Sequence, residues 1–241
     1  MSTPVVLLHP LGVDHHFWDP VRAALPARLG QVEAPDLLGH GRASLPTPGA
    51  GIEEFADAVE EGLSAHDAPV HLVGVSLGAL VAQVVAARSP ERVERLVLAD
   101  GVAVYPGPMR TMWGERAALV RAQGLGAVVE PMEALWFSPD YRVQSSDQVA
   151  AVRALLLAGD PEGYARTCEA LAVADTSAAV PSIAAPTLVA CGEADAPPFR
   201  MALDWLARSL PNARTAWLSG AHATAYEHPG EFADLLVEFL G

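Results

Sequence analysis

Residues 70–87 read V-H-L-V-G-V-S-L-G-A-L-V-A-Q-V-V-A-A. A short apolar run leads into Gly74-Val75-Ser76-Leu77-Gly78, and a segment rich in Ala, Val and Leu follows. This pattern predicts a buried strand, a sharp turn and a buried helix. The flanking glycines are needed where a Cβ would collide with neighbouring backbone, so the spacing G-x-S-x-G predicts that the Ser76 hydroxyl is held above the sheet. Ser76 is therefore a candidate nucleophile, and the alternative is a glycine-rich turn with an incidental serine.

Segments of strand and helix character alternate on both sides of this stretch. The other predicted strands are residues 5–8, 31–34, 95–100, 186–191 and 214–218, and the other predicted helices of this pattern are residues 19–29, 52–66, 197–210 and 229–240. Because helices connect successive strands, the order predicts an α/β fold with a mostly parallel sheet.

The alternation stops between residues 105 and 180. That segment contains helical patterns separated by glycine and proline breaks and no convincing strand, which indicates an inserted helical cap. We therefore expect three parts: a first core segment at 1–104, the helical cap at 105–180 and a second core segment at 181–241.

Composition and charge restrict the class of protein. The chain has 241 residues, 51% of them hydrophobic, and a formal net charge of −14 without a basic run, which argues against nucleic acid and anionic membranes as partners. No signal peptide or membrane-spanning run is apparent, so a cytoplasmic location is expected. Cys168 and Cys191 lack ligand spacing and are expected to be buried thiols. The eight histidines show no metal-binding pattern, and we expect neither a metal nor another cofactor.

A serine nucleophile needs a histidine base and a carboxylate that orients the base, and in this fold they follow the serine in the order acid, then histidine. Asp195 ends C-G-E-A-D directly after a predicted strand, and His222 ends S-G-A-H directly after the last one. The carboxyl ends of parallel strands meet at one edge of a sheet, so both side chains are expected near Ser76. Glu193 and Asp100 remain alternative acids.

Hydrolysis of an acyl group also needs hydrogen-bond donors for the developing oxyanion. The backbone N–H of Leu77, at the start of the predicted helix, is one candidate. The loop after the first strand should supply the other, and because Pro10 has no N–H, Leu11 is the candidate there. A turn without a catalytic role is the alternative interpretation of this loop.

Aromatic residues of the predicted cap are candidates for substrate binding. Most are expected to form the core of the cap, and one or two to face the gap above Ser76. The candidates are Trp113, Trp136, Phe137 and Tyr164.

Several motifs resemble those of α/β-hydrolases and, within them, of the 3-oxoadipate enol-lactonase group. They are L-G at 11–12, W-D-P at 18–20, G-H-G-R-A-S at 39–44, G-V-S-L-G at 74–78, S-P-E-R-V at 89–93, L-W-F-S-P at 135–139, D-P-E-G-Y at 160–164, A-H at 221–222 and E-H-P at 227–229. The resemblance spans nearly the whole chain. It implies an α/β-hydrolase fold, a Ser76–Asp195–His222 triad, Leu11 and Leu77 as oxyanion donors and Trp136 as a wall of the pocket.

Three features depart from that group. Its members usually carry a β-hairpin before the strand that here starts at Val5, so we expect a sheet smaller by about two strands. Leu135 stands where the group often has an arginine, and Arg110, Arg116 or Arg142 are the candidates to replace that cation. The loop D-L-L-G at 36–39 replaces a more polar one.

The sequence thus predicts a serine hydrolase that cleaves a small carboxylic ester or lactone through an acyl-enzyme intermediate. A homodimer is an open possibility. Leu135 and the acidic charge favour neutral or weakly polar acyl groups. The alternatives are a cofactor-free perhydrolase or C–C bond hydrolase with the same triad, and a hydrolase-fold receptor that binds a ligand with little turnover.

Overall fold

A six-stranded parallel sheet forms the centre of the protein, as seen in a computed structural model that describes residues 3–241. The strands lie in the order β2-β1-β3-β4-β5-β6, and every neighbouring pair is parallel. Their bounds are β1 Val5–Leu8, β2 Val32–Glu33, β3 Val70–Val75, β4 Val93–Ala99, β5 Thr187–Gly192 and β6 Ala213–Leu218. The predicted α/β fold with a mostly parallel sheet is confirmed.

The central strands are buried on both faces, which explains their continuous apolar sequences. In β3, Val73 pairs with Leu7 of β1 on one side and with Val97 of β4 on the other. This register brings the carboxyl ends of the strands to one edge of the sheet, where the loops that follow them meet.

Some helices flank the sheet, and others form a separate layer above one edge of it. Their bounds are α1 Asp19–Ala24, α2 Ile52–Leu63, α3 Leu77–Arg88, α4 Gly107–Gln123, α5 Val129–Trp136, α6 Pro139–Gln144, α7 Ser146–Ala158, α8 Pro161–Val173, α9 Pro197–Ser209, α10 Thr224–Glu227 and α11 Pro229–Leu240. Within the described part of the chain, no helix is both long and apolar enough to cross a membrane.

The helix predicted at residues 19–29 is shorter than expected. It ends at Ala24, and Leu25 has φ −71° and ψ 135°, which is extended backbone. Proline disfavours the helical conformation of the preceding residue, so Pro26 ends the helix, and only a 3₁₀ turn follows at Ala27–Leu29.

Helices α4 to α8 lie between β4 and β5 in the chain and confirm the predicted helical insertion. An antiparallel bridge joins Val104 to Asp175, and the N–H of Thr176 donates to the carbonyl of Ala103 at 2.9 Å. The two chain segments that connect the cap to the core are therefore hydrogen-bonded to each other at the base of the cap.

Candidate active site

Ser76 occupies the corner between β3 and α3 with φ 55° and ψ −109°, an unusual conformation for a residue with a side chain. A Cβ at Gly74 would lie 2.2 Å from the carbonyl oxygen of Gly78, and a Cβ at Gly78 would lie 2.2 Å from that of Leu8. Only glycine fits at either position, because real Cβ atoms do not approach backbone so closely. The G-x-S-x-G spacing thus has a steric cause.

Ser76, His222 and Asp195 lie in a continuous hydrogen-bonded row. Nε2 of His222 is 2.9 Å from the Ser76 hydroxyl oxygen, and Nδ1 is 2.9 Å from Oδ2 of Asp195. The carboxylate accepts the proton of Nδ1, which leaves Nε2 free to accept the hydroxyl proton. His222 and Asp195 are buried, and Ser76 is 9% exposed.

Three strand ends carry this row: Ser76 follows β3, Asp195 follows β5 and His222 follows β6. The last two loops are also joined, because the N–H of Ala194 donates to the carbonyl of Gly220 at 2.9 Å. Oδ1 of Asp195 accepts the N–H of Ala196 at 2.6 Å, which fixes the other carboxylate oxygen.

The two alternative acids occupy other places. Glu193 is exposed. Asp100 is fully buried, and its carboxylate accepts hydrogen bonds from the N–H of Gly192 and the hydroxyl of Thr224. Among these three acids, only Asp195 bonds to the imidazole of His222.

Two nearby carboxyl groups affect the charge of the imidazole. Burial lowers the pKa of His222, but the charge and hydrogen bond of Asp195, together with the charge of Asp100, outweigh burial and raise it above its usual value. Burial, and next the negative charge of Asp195, raise the pKa of Asp100 to about 7.

The two candidate oxyanion donors also lie at this site. Leu77 is the first residue of α3, where a helix leaves N–H groups without intrahelical partners, and Leu11 lines the cavity beside Ser76. Among the backbone–backbone hydrogen bonds found in residues 3–241, none uses the N–H of Leu11 or Leu77.

Two buried histidines hold the loop that contains Leu11. The N–H of Gly12 donates to Nε2 of His40, and the N–H of Leu37 donates to Nε2 of His9, both at 2.9 Å. Burial lowers the pKa of His40 to about 3 and also lowers that of His9, so both rings stay neutral and can accept these protons.

A narrow cavity of about 20 Å³ lies against Ser76, with space for about one water molecule. Three of the four predicted cap aromatics line it: Trp113, Trp136 and Tyr164. Phe137, the fourth candidate, does not line this cavity. Its ring is buried outside the lining, stacked on Tyr141 at a centroid distance of 5.4 Å and in contact with Tyr226 at 6.2 Å.

A guanidinium group also borders the cavity. Arg116 lies on α4 one turn after Trp113, and its Cζ is 5.0 Å from the Trp113 ring centroid. Leu135, at the position where the enol-lactonase group often has an arginine, borders the same cavity. Among residues 3–241, no carboxylate forms an ion pair with Arg116.

Within residues 3–241, two groups of side chains have the composition of metal ligands. They are Asp14, His15 and His16 near the surface, and Asp100, Cys191 and Asp195 in the interior. Hydrogen bonds within the protein already engage most of these atoms, including Nδ1 of His16 with Asp14 at 2.9 Å and Asp195 with His222.

Sequence reasoning missed Phe199, whose ring centroid lies 4.1 Å from that of His222 and which also lines the cavity. It also missed Glu227, a buried carboxylate that accepts the N–H of Ala221 at 3.0 Å and the N–H of Ser138 in the cap at 3.2 Å. The only local signal for Phe199 was its place at the start of α9, the helix that follows the loop of Asp195.

Comparison with known proteins gives consistent relatives. The sequence model of the alpha/beta hydrolase family matches residues 5–235. The chain is 32% identical to 3-oxoadipate enol-lactonase 2 of Acinetobacter baylyi over 82% of this chain and 73% of that protein. It is also 32% identical to the pimeloyl-[acyl-carrier protein] methyl ester esterase of Aromatoleum aromaticum over 100% and 99%. The crystal structure of the enol-lactonase from Burkholderia xenovorans superposes with a TM-score of 0.94 at 30% identity, covering 100% and 92% of the two chains.

Proposed function

The chain belongs to the alpha/beta hydrolase family, and from this premise we propose that it is a serine hydrolase that cleaves a carboxylic ester or lactone through an acyl-enzyme intermediate. The observation that carries the proposal is the row of two 2.9 Å contacts from Ser76 through His222 to Asp195. A buried serine next to a neutral imidazole, itself oriented by a carboxylate, is an activated nucleophile.

In the proposed reaction, Oγ of Ser76 attacks the acyl carbon while Nε2 of His222 takes the hydroxyl proton. Asp195 stabilises the imidazolium and keeps the ring in place. The N–H groups of Leu11 and Leu77 donate hydrogen bonds to the oxyanion, which is worth about 3 kcal/mol for each donor. His222 then gives its proton to the leaving alkoxide, and a water molecule deprotonated by the same nitrogen releases the acid from Ser76.

The cavity supports a small substrate that carries a carboxylate. The Arg116 guanidinium, which forms no ion pair within residues 3–241 and is half enclosed beside Trp113, favours an anionic group on the substrate. Arg116 would then supply the cation that Leu135 does not. We therefore propose a substrate with a carboxylate in place of the neutral acyl groups that the sequence favoured. An enol-lactonase and an esterase among the matched relatives support ester or lactone chemistry.

The cavity in this structure has room for about 20 Å³, so a substrate of several non-hydrogen atoms enters only if the aromatic side chains or cap helices around it move apart. We therefore propose that the cap opens during each turnover and closes to exclude water from the acyl group.

Hydrolysis of p-nitrophenyl acetate and butyrate tests the proposal. The Ser76→Ala variant should lose more than about a thousandfold in turnover, since the nucleophile is removed. Ser146→Ala, which changes an exposed serine on α7, serves as the matched control and should keep the wild-type rate. Full activity in Ser76→Ala would refute the assignment. A single round of acyl transfer without further turnover in the wild type would indicate a ligand-binding receptor instead.

A further inference from the structure

Asp100 has an unusual backbone conformation at the end of β4. Among the non-glycine residues of 3–241, only Ser76 and Asp100 have a positive φ, and that of Asp100 is 49°. The N–H of Asp100 donates to the carbonyl of Ala190 at 3.0 Å and so extends the pairing of β4 with β5. Backbone strain of this kind persists only where surrounding structure enforces it, and it concentrates at functional sites.

The carboxylate of Asp100 connects two loops that the mechanism uses. Oδ1 accepts the N–H of Gly192 at 2.9 Å, three residues before Asp195. Oδ2 accepts the hydroxyl of Thr224 at 2.7 Å, two residues after His222. The side chain is fully buried, so these bonds replace the water that a carboxylate would otherwise bind.

Resting on the hydrolase function proposed above, we propose that Asp100 is a positioning residue that holds the loop of Asp195 and the loop of His222 in register. Without this bridge, the imidazole would keep its chemistry but lose its fixed distance to Ser76. A misplacement of about 1 Å in such a constellation costs up to about 100-fold in rate.

Asp100 also contributes charge to this region. An oxygen of Asp100, an oxygen of Asp195 and the sulfur of Cys191 all lie within 4.8 Å of one another. The charge of Asp100 favours the imidazolium form of His222 and so raises the pKa of that ring. Other titratable or charged groups around His222 and its loop include Asp195, Cys191, Tyr105, Arg116, Tyr164, Glu227, His228 and Glu231.

Two variants separate the bridge from the charge. Thr224→Val removes the hydroxyl that reaches Asp100 and leaves the shape of the side chain nearly unchanged. Asp100→Asn removes the charge but keeps an oxygen for the N–H of Gly192 and an amide group that can donate to the Thr224 hydroxyl oxygen. Thr187→Val is the matched control, because Thr187 is as buried as Thr224 and begins β5, at the end of that strand away from Gly192. Within residues 3–241 its hydroxyl bonds only to the carbonyl of Ala185, at 2.9 Å.

Steady-state hydrolysis of p-nitrophenyl butyrate is measured from pH 5 to 9, well below each variant's melting temperature. In Thr224→Val we expect kcat to fall between about 10- and 100-fold with little change in KM, and Thr224→Ser to recover most of the loss. In Asp100→Asn we expect the acidic limb of the kcat/KM profile to move to lower pH, because without the charge of Asp100 the imidazole of His222 stays neutral at lower pH.

A kcat of Thr224→Val that matches that of Thr187→Val would overturn the proposal, since a buried hydroxyl would then matter only for stability. So would an Asp100→Asn profile that does not shift. Failure of this proposal can be told apart from failure of the proposed hydrolase function, which would show as a wild-type protein without ester hydrolysis or as full activity in Ser76→Ala.

Discussion

Asp195 contacts three groups through its two carboxylate oxygens. Oδ2 lies 2.9 Å from Nδ1 of His222 and 3.8 Å from the sulfur of Cys191, and Oδ1 accepts the N–H of Ala196. These contacts fix the orientation of the carboxylate before any substrate binds. No free energy is therefore needed to reorient it during the reaction. The geometry supports Asp195 as the acid of the proposed triad.

Replacement of Asp195 by asparagine should lower kcat by about 10⁴-fold without unfolding the protein, because an amide can favour the wrong tautomer of the imidazole. Glu193→Gln neutralises a neighbouring exposed acid in the same loop and should change kcat little. Rates are compared with p-nitrophenyl butyrate at pH 8. If Glu193→Gln were the damaging change, the acid would have been assigned wrongly.

We propose that Arg116, which lines the cavity beside Ser76, determines the substrate class. The Arg116→Leu variant should lose about 10- to 100-fold in kcat/KM for esters and lactones with a free carboxylate, the value of one charge-assisted hydrogen bond, and little for their neutral counterparts. Arg142→Leu, at an exposed cap arginine, controls for net charge. Equal losses on charged and neutral substrates would contradict the proposed anionic substrate.

Among the elements, the loop after β1 depends on the charge state of two histidines. His40 is unprotonated in the folded protein down to a pKa of about 3, whereas in an unfolded chain it takes up a proton near pH 6.5. The unfolded state therefore binds more protons between these values, and stability falls as the pH falls through this window.

From pH 7.5 to pH 5, His40 alone should reduce the free energy of unfolding by about 2 kcal/mol. Urea titrations of the wild type and His40→Gln at both pH values measure this, and the difference between the two pH values should be smaller by about that amount in the variant. His16→Gln removes an exposed imidazole and should leave the difference as in the wild type. An unchanged pH dependence in His40→Gln would refute the neutral, buried role of His40.

The end of α5 ties the cap to the loop of His222. The N–H of Ala223 donates to the carbonyl of Trp136 at 3.0 Å, and the Trp136 ring packs edge-on against Phe17 at 5.9 Å while lining the cavity. Trp136 therefore belongs both to the cap-core contact and to the pocket wall.

For Trp136→Ala we expect the rate of hydrolysis to fall more, relative to wild type, for bulky esters than for acetate. The melting temperature should also fall, since removal of a buried tryptophan costs about 3–5 kcal/mol. The reaction of Ser76 with a small organophosphate should persist. Trp205→Ala, at a tryptophan that is 38% exposed, provides the comparison. Equal proportional losses on acetate and on bulky esters would remove Trp136 from the pocket.

Across the whole molecule, the strands could be predicted from local sequence because each buried strand is one apolar run closed by a turn. The place of Asp195 and His222 followed from the rule that parallel strands end at one edge. The direction of each aromatic ring could not be predicted from the local sequence. Phe137 and Trp136 are neighbours in sequence, yet of the two only Trp136 faces the cavity.

Two questions that the sequence left open depend on packing between residues that are distant in the chain. Arg116 reaches the cavity because α4 packs against α8 across the cap, and nothing near residue 116 distinguishes it from Arg110 or Arg142. Asp100 resembled a second catalytic acid until Thr224 and Gly192, both distant in sequence, were seen on its oxygens. Contacts of this kind have no short-range signature.

The central claim is that Ser76 attacks the acyl carbon. Incubation with a small fluorophosphonate, followed by intact-protein and peptide mass spectrometry, measures this directly, because the phosphorus reagent stays on the activated serine. We predict one adduct per chain, on the peptide that contains Ser76, with loss of ester hydrolysis in proportion and no adduct in Ser76→Ala. Continued hydrolysis by a fully treated protein, or an adduct on a different residue, would contradict the account.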